Sequence, residues 1–159
     1  MEIKKYKKQP LLVSGLEAHA GFWLRFVSNH VSAEFSRLME AEGISVSEWV
    51  ALRRLYDAGE AAPSELMSAL GMTKGAISKV VTRLEEKGLV TRAALDDDAR
   101  ARKISLAAAG RALVPRLAAL ADQNDENFFG PLTTERRAQL VDILKELADV
   151  HQLRQFPLS

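Results

Sequence analysis

Between Thr73 and Leu84 the chain sorts its residues by chemistry. Ile77, Val80, Val81 and Leu84 recur at spacings of three and four, which makes one apolar stripe on a helix. The other side of that helix carries Thr73, Lys74, Gly75, Ser78, Lys79, Thr82 and Arg83. These are hydroxyls, long cations and one glycine, with no acid before Glu85. Hydroxyls and cations donate to phosphate oxygens and to base edges, and a glycine lets the backbone come close. The chemistry on offer is recognition of nucleic acid. A solvated, basic helix face accounts for the same residues, so the neighbouring elements must decide.

Upstream, Pro63 suits a first helical position, Leu66, Met67 and Leu70 point inward, and Gly71 closes a short helix. Only Gly71 and Met72 separate it from Thr73, which is placed to cap the next helix. Two short helices across a tight turn form a helix-turn-helix, whose second helix fits the major groove of DNA. Gly88 ends that second helix, and then the period changes. Val90–Ala94 and Arg102–Leu106 read as two short strands joined by a polar linker from Leu95 to Ala101. A hairpin following a recognition helix is a wing. Arg100 sits at its tip with Arg102 and Lys103 behind it, where the negative potential of a narrow minor groove favours arginine. Asp98 is placed to pair with Arg100 and shape the tip. Glu85 and Glu86, at the far end of the helix, read as solvated charge.

Longer helical patterns flank this middle segment. From Leu16 to Ala41 a stripe of His19, Phe22, Trp23, Phe26, His30, Val31, Phe35, Leu38 and Met39 predicts one long helix stopped by Gly43. Ser45 and Glu48 form a capping-box pair for a helix that buries Trp49, Leu52, Leu55 and Tyr56 and ends at Gly59. After Leu106 the spacing predicts a helix over Ala107–Phe128, with Pro115 kinking it or marking its true start. Gly130-Pro131 breaks the chain. Thr133 then caps a final helix carrying Leu140, Val141, Leu144, Leu147 and His151 on one face.

The bulk numbers set bounds. A chain of 159 residues with 47% hydrophobic and 27% charged residues is expected to be one ordinary globular unit. Cysteine is absent, so no disulfide or thiolate metal site forms. The apolar run Leu11–Val13 is too short for a signal-peptide core, and no stretch approaches the ~20 apolar residues that span a bilayer. A cytoplasmic protein without membrane association is expected. The formal net charge is only +1, but Thr73–Lys103 holds eight basic residues against five acidic ones, and four lysines crowd Met1–Pro10. Positive charge is local, as suits one anionic partner. There is no phosphate loop, nucleophile elbow or HExxH, which argues against an enzyme. His19 and His30 lie three turns apart, too far for one metal, and His151 is isolated, so neither metal nor cofactor is expected.

The order of elements resembles the MarR family of bacterial regulators. The stretches ISVSEWVALRRLYDAG, PSELMSALGMTKGAISKVVTRLEEKGLVTR and DDDARARKISLAAAG carry the resemblance, with the wing's aspartate and arginine falling on Asp98 and Arg100. It spans about Leu16 to Leu153. It implies a mainly α fold, a winged helix-turn-helix with N- and C-terminal dimerisation helices and a small β-hairpin wing. Residues 1–42 would be an arm and dimerisation helix, 43–107 the DNA-binding lobe and 108–159 further dimerisation helices. It implies a homodimer on double-stranded DNA, with Thr73–Lys87 in the major groove and the wing in the minor groove. Most members repress genes and let go of DNA on binding a small, often phenolic, anion. Ala107 stands where the family often has threonine, and the wing is rich in alanine (Ala93, Ala94, Ala99, Ala101).

In that family the effector site lies between the dimerisation helices and the DNA-binding lobe. Here His19, Phe22, Trp23, Phe26 and His30 from the first helix, with Trp49, Arg53 and Tyr56 from the second, offer aromatic walls and a cation. That set suits a small aromatic or anionic effector. An ordinary aromatic core explains the same stripe. For the whole chain the alternative function is a winged-helix protein-interaction module without specific DNA binding, which the low net charge leaves open.

Overall fold

The computed structural model describes residues 13–93 and 103–153. A short 3-10 turn, Leu16–Ala18, leads into α1 (Ala20–Ala41), followed by α2 (Val46–Ala58), β1 (Glu60–Ala61), α3 (Pro63–Leu70) and α4 (Lys74–Glu86). β2 (Val90–Ala93), β3 (Lys103–Leu106), α5 (Ala108–Phe129) and α6 (Thr134–Val150) complete it. The architecture is mainly helical with a small antiparallel sheet, ordered β1-β3-β2. Val90 pairs with Leu106 and Arg92 with Ile104 on one side of β3, and Ala61 pairs with Ile104 on the other.

Local chemistry fixes the ends of the elements. The Ser45 hydroxyl accepts from the Glu48 amide, and the Glu48 carboxylate accepts from the Ser45 amide at 2.7 Å, so the capping box forms as the sequence predicts. At α3 the Glu65 carboxylate accepts from the Ala62 amide, while alanine gives nothing back. Gly71 ends α3 at φ 61°, ψ 26°, the left-handed conformation that makes so short a turn into α4 accessible. The Thr73 hydroxyl accepts from the Ala76 amide and opens α4.

The core gathers Leu52 and Leu55 from α2, Leu66 and Leu70 from α3, and Ile77, Val80, Val81 and Leu84 from α4. Val90, Ile104 and Leu106 of the sheet join them, as do Val114 and Leu117 of α5. The apolar stripe of α4 is therefore fully internal, which turns its other face outward.

One expectation needs correction: Tyr56, read as part of the buried face of α2, is exposed, because its side of the helix points away from the core. The stripe on α1 is not a buried face: only Met39 is fully buried, while Trp23 and Phe26 stay about half exposed. The final helix behaves alike. α6 buries no residue completely, and Val141, Leu144 and Leu147 remain exposed. The spacing correctly marks an apolar face, but a single chain gives these faces little to pack against. Pro115 does not mark the start of its helix, for α5 begins at Ala108 and runs through it. The start at Ala107 has no side-chain cap; the Ala107 amide donates to the Leu89 carbonyl instead. β1, two residues long, was not anticipated. Among the described residues no helix is long and apolar enough to cross a membrane.

Candidate nucleic-acid interface

α4 presents Lys74, Gly75, Ser78, Lys79, Thr82 and Arg83 to solvent, and Thr73 is exposed at its cap. A Cβ built on Gly75 would meet nothing within 4 Å, so the first turn is open to close approach. The cations of this region divide into two sets. Lys87, at the end of α4, turns inward: its ammonium donates to both carboxylate oxygens of Glu48, at 2.7 and 2.8 Å, and to the Gly43 carbonyl at 2.7 Å. Lys103 pairs with Glu60 across the sheet edge. Arg92 meets Glu85 at 2.9 Å and donates to the Thr82 hydroxyl at 3.2 Å. Lys74, Lys79 and Arg83 make no ion pair among the described residues. Charge that is neutralised lies behind or beside the helix; charge that is not lies on its outer face. That is the pattern of a surface which gains most from an external anion.

Glu48 shows how the interior holds its own charge. Its side chain is 2% exposed. Burial alone would raise its pKa, but the hydrogen bonds from Lys87 and from the Ser45 amide outweigh that and hold the carboxyl below its usual range. The pair ties the last turn of α4 to the start of α2. Sequence reading gave Glu48 only its cap role, because a partner 39 positions away leaves no local signal. Arg92 did leave one: it shares the strand face of Val90, where an apolar residue is the norm. Glu85, read as solvated charge, is half-buried and paired with it.

Arg100, Arg102 and Asp98 lie outside the described residues. The residues considered for an effector fall into two groups. On α1, Phe22 and Trp23 meet edge to face at 5.2 Å, Phe22 and Phe26 stack at 6.1 Å, and His30 lies 4.7 Å from Phe26. His19 approaches Ser14, and the Trp23 indole donates to the Glu17 carbonyl. Trp23 also walls an apolar hollow of about 540 Å³ with Leu24, Val27, Phe128, Phe129 and Leu140. On α2, Trp49 and Arg53 line a separate cleft of about 290 Å³ with Val50, Arg54, Asp57 and Leu70. Tyr56 lies between two guanidinium groups, with Arg53 at 5.8 Å and Arg111 of α5 at 5.9 Å from its ring. Among the described residues, Trp23 of the first group and Trp49 and Arg53 of the second line different hollows. Arg111 was not foreseen, since only the packing of α5 on α2 brings it there.

A three-helix lobe with a tight α3–α4 turn and a following antiparallel hairpin defines a winged helix-turn-helix. Residues 44–101 match the MarR family profile. The HTH-type transcriptional regulator PrsX of Escherichia coli is 31% identical over 114 residues, covering 70% of this chain and 69% of PrsX. The crystal structure of a probable transcriptional regulator from Pseudomonas aeruginosa superposes with a TM-score of 0.72 at 31% identity, covering 84% of this chain and 99% of that one. A MarR family protein of Mycobacterium tuberculosis, solved in complex with salicylic acid, gives a TM-score of 0.65 at 28% identity, covering 81% and 96%. The chain belongs to the MarR family of transcriptional regulators.

Proposed function

We propose that this protein is a cytoplasmic, homodimeric repressor that binds a pseudo-palindromic operator and releases it when a small aromatic anion binds. The observation that carries the reading is the outer face of α4: three cations without ion-pair partners among the described residues, beside two serine and threonine hydroxyls, opposite a fully buried stripe. Lys74, Gly75, Ser78, Lys79, Thr82 and Arg83 would face the major groove, with Thr73 at the cap. Arg100 and Arg102 would enter the minor groove, shaped by Asp98. The exposed apolar faces of α1 and α6 support segments 1–42 and 108–159 as the dimerisation region, with 43–107 as the DNA-binding lobe. A second copy is the natural cover for so much apolar surface. The aromatic residues and arginines His19, Phe22, Trp23, Phe26, Trp49, Arg53 and Tyr56 remain candidates for the effector, and Arg111 joins them. The salicylic acid bound to the Mycobacterium tuberculosis relative supports an aromatic carboxylate as its chemistry.

Selection of bound duplexes from random DNA, with and without salicylate, tests this. Half-sites about one helical turn apart are expected, as is a log–log salt slope near −0.9 per phosphate neutralised. Lys79→Ala and Ser78→Ala should each cost about 1–3 kcal/mol on the selected site where they read a base. Arg100→Ala should weaken binding and leave the oligomer intact. Unchanged gel shifts for all three variants would remove the assigned surface. The net charge of +1 favours one second reading, an interaction module using the winged fold without specific DNA binding. A flat salt response would support it.

A further inference from the structure

Arg92 lies on the Val90 face of β2 yet stays exposed, and among the described residues it makes two polar contacts, both with α4. β2 alternates, so Arg92 shares the face of Val90, which is buried in the core, and it sits opposite the buried Ile104. From there it reaches α4. Its Nε lies 2.9 Å from the Glu85 carboxylate, and its Nη2 donates to Thr82 Oγ1 at 3.2 Å. Thr82 and Glu85 stand three residues apart and so project from one side of α4.

The hydrogen bond has a directional consequence. A threonine hydroxyl has one hydrogen to give and two lone pairs to fill. With Arg92 filling a lone pair, the hydrogen must point elsewhere, and it finds no acceptor among the described residues. Threonine in a helix often spends this hydrogen on the carbonyl four residues back; no such bond forms here.

We infer that Arg92 is a positioning residue for DNA recognition. It fixes the Thr82 hydroxyl as a donor aimed at an acceptor on the duplex, and through Glu85 it locks the wing to the helix at a set angle. The inference rests on the DNA-binding reading of α4. An acceptor oxygen of a phosphate and the acceptor edge of a base share the chemistry. Arg92 itself is held by Glu85 and would contribute no phosphate contact of its own.

The test is a double-mutant cycle on the full-length protein, using a duplex it selects from random DNA and a scrambled duplex of equal length. Thr82→Val is expected to weaken binding roughly fivefold when Arg92 is present and to cost nothing in the Arg92→Met background. A Glu85 carboxylate freed near the duplex would weaken binding whatever stands at 82, so it cancels from the coupling. Any fall in the salt slope on loss of Arg92 should be well short of the roughly 0.9 that loss of a direct phosphate contact would bring. Equal costs of Thr82→Val in both backgrounds, or a slope reduced by a full phosphate contact, would overturn the inference. If the Thr82→Val loss is confined to the selected duplex, the acceptor is a base; if it appears on both, a phosphate. Thermal melting checks the fold. Arg92→Lys, which keeps the charge for Glu85 and loses the two-pronged donor, replaces Arg92→Met should the latter not fold. Failure of the unaltered protein to bind any duplex would overturn the regulator reading itself, a result distinct from an additive cycle.

Discussion

Gly110→Ala is expected to lower stability by about 2–4 kcal/mol, although glycine to alanine inside a helix is ordinarily favourable. The helical preference for alanine is worth only about 1 kcal/mol. Against it stands a collision: a Cβ on Gly110 would lie 2.1 Å from the Leu89 carbonyl oxygen and 3.0 Å from its carbon. Both neighbours are backbone, so no side chain can swing aside. The same Leu89 oxygen accepts from the Ala107 amide at 2.9 Å, the bond that seats an α5 start lacking any side-chain cap. Relief of the clash would pull the first turn of α5 from the end of α4 and the start of β2. Gly75→Ala is the internal comparison, because its new methyl would meet nothing within 4 Å. That substitution should be neutral or stabilising by about 0.5 kcal/mol while lowering DNA affinity through a blocked backbone approach. Urea unfolding of both variants decides the matter. A Gly110→Ala protein as stable as the parent would mean that the junction yields without cost.

The fold was legible wherever a rule is local. The capping box at Ser45, the turn at Gly71–Met72 and the buried stripe of α4 all depend on residues within one or two turns of each other, and all appear as expected. What failed depended on distance. Periodicity marks an apolar face on α1 and α6 but does not say whether the covering surface lies in the same chain. Lys87 and Glu48 are ordinary charges until the α1–α2 junction closes over them. Arg111 meets Tyr56 only because α5 crosses α2. The outward residues of α4 were readable for the same reason as its core: one helix sorts both by angle. The aromatic set spans two helices, and a sequence does not give the spacing between them.

Lys87→Met is expected to destabilise the protein by about 3 kcal/mol at pH 7, and the deficit should shrink on acidification. The figure is at the low end for a broken buried pair, because Lys87 is itself 38% exposed while the carboxylate it leaves behind is 2% exposed. In the parent, the folded-state pKa of Glu48 is lowered, so its contribution is present above the unfolded value, taken as 4.5, and is lost as pH falls through the folded one. Without the ammonium, burial becomes the leading influence on Glu48, opposed mainly by the Ser45 amide, and its folded-state pKa should rise above 4.5. The sign then reverses: the variant is penalised at neutral pH and relieved as the carboxyl takes up a proton. Unfolding free energies at pH 7 and pH 4.5 should therefore converge. Adding Glu48→Gln to Lys87→Met removes the charge but keeps an oxygen for the Ser45 amide, so it should recover most of the loss at pH 7 and flatten the pH response. A gap between parent and Lys87→Met that stays constant from pH 7 to 4.5 would mean that Glu48 rehydrates freely once Lys87 is gone. The last turn of α4 would then be held by its apolar contacts alone, and not by this pair.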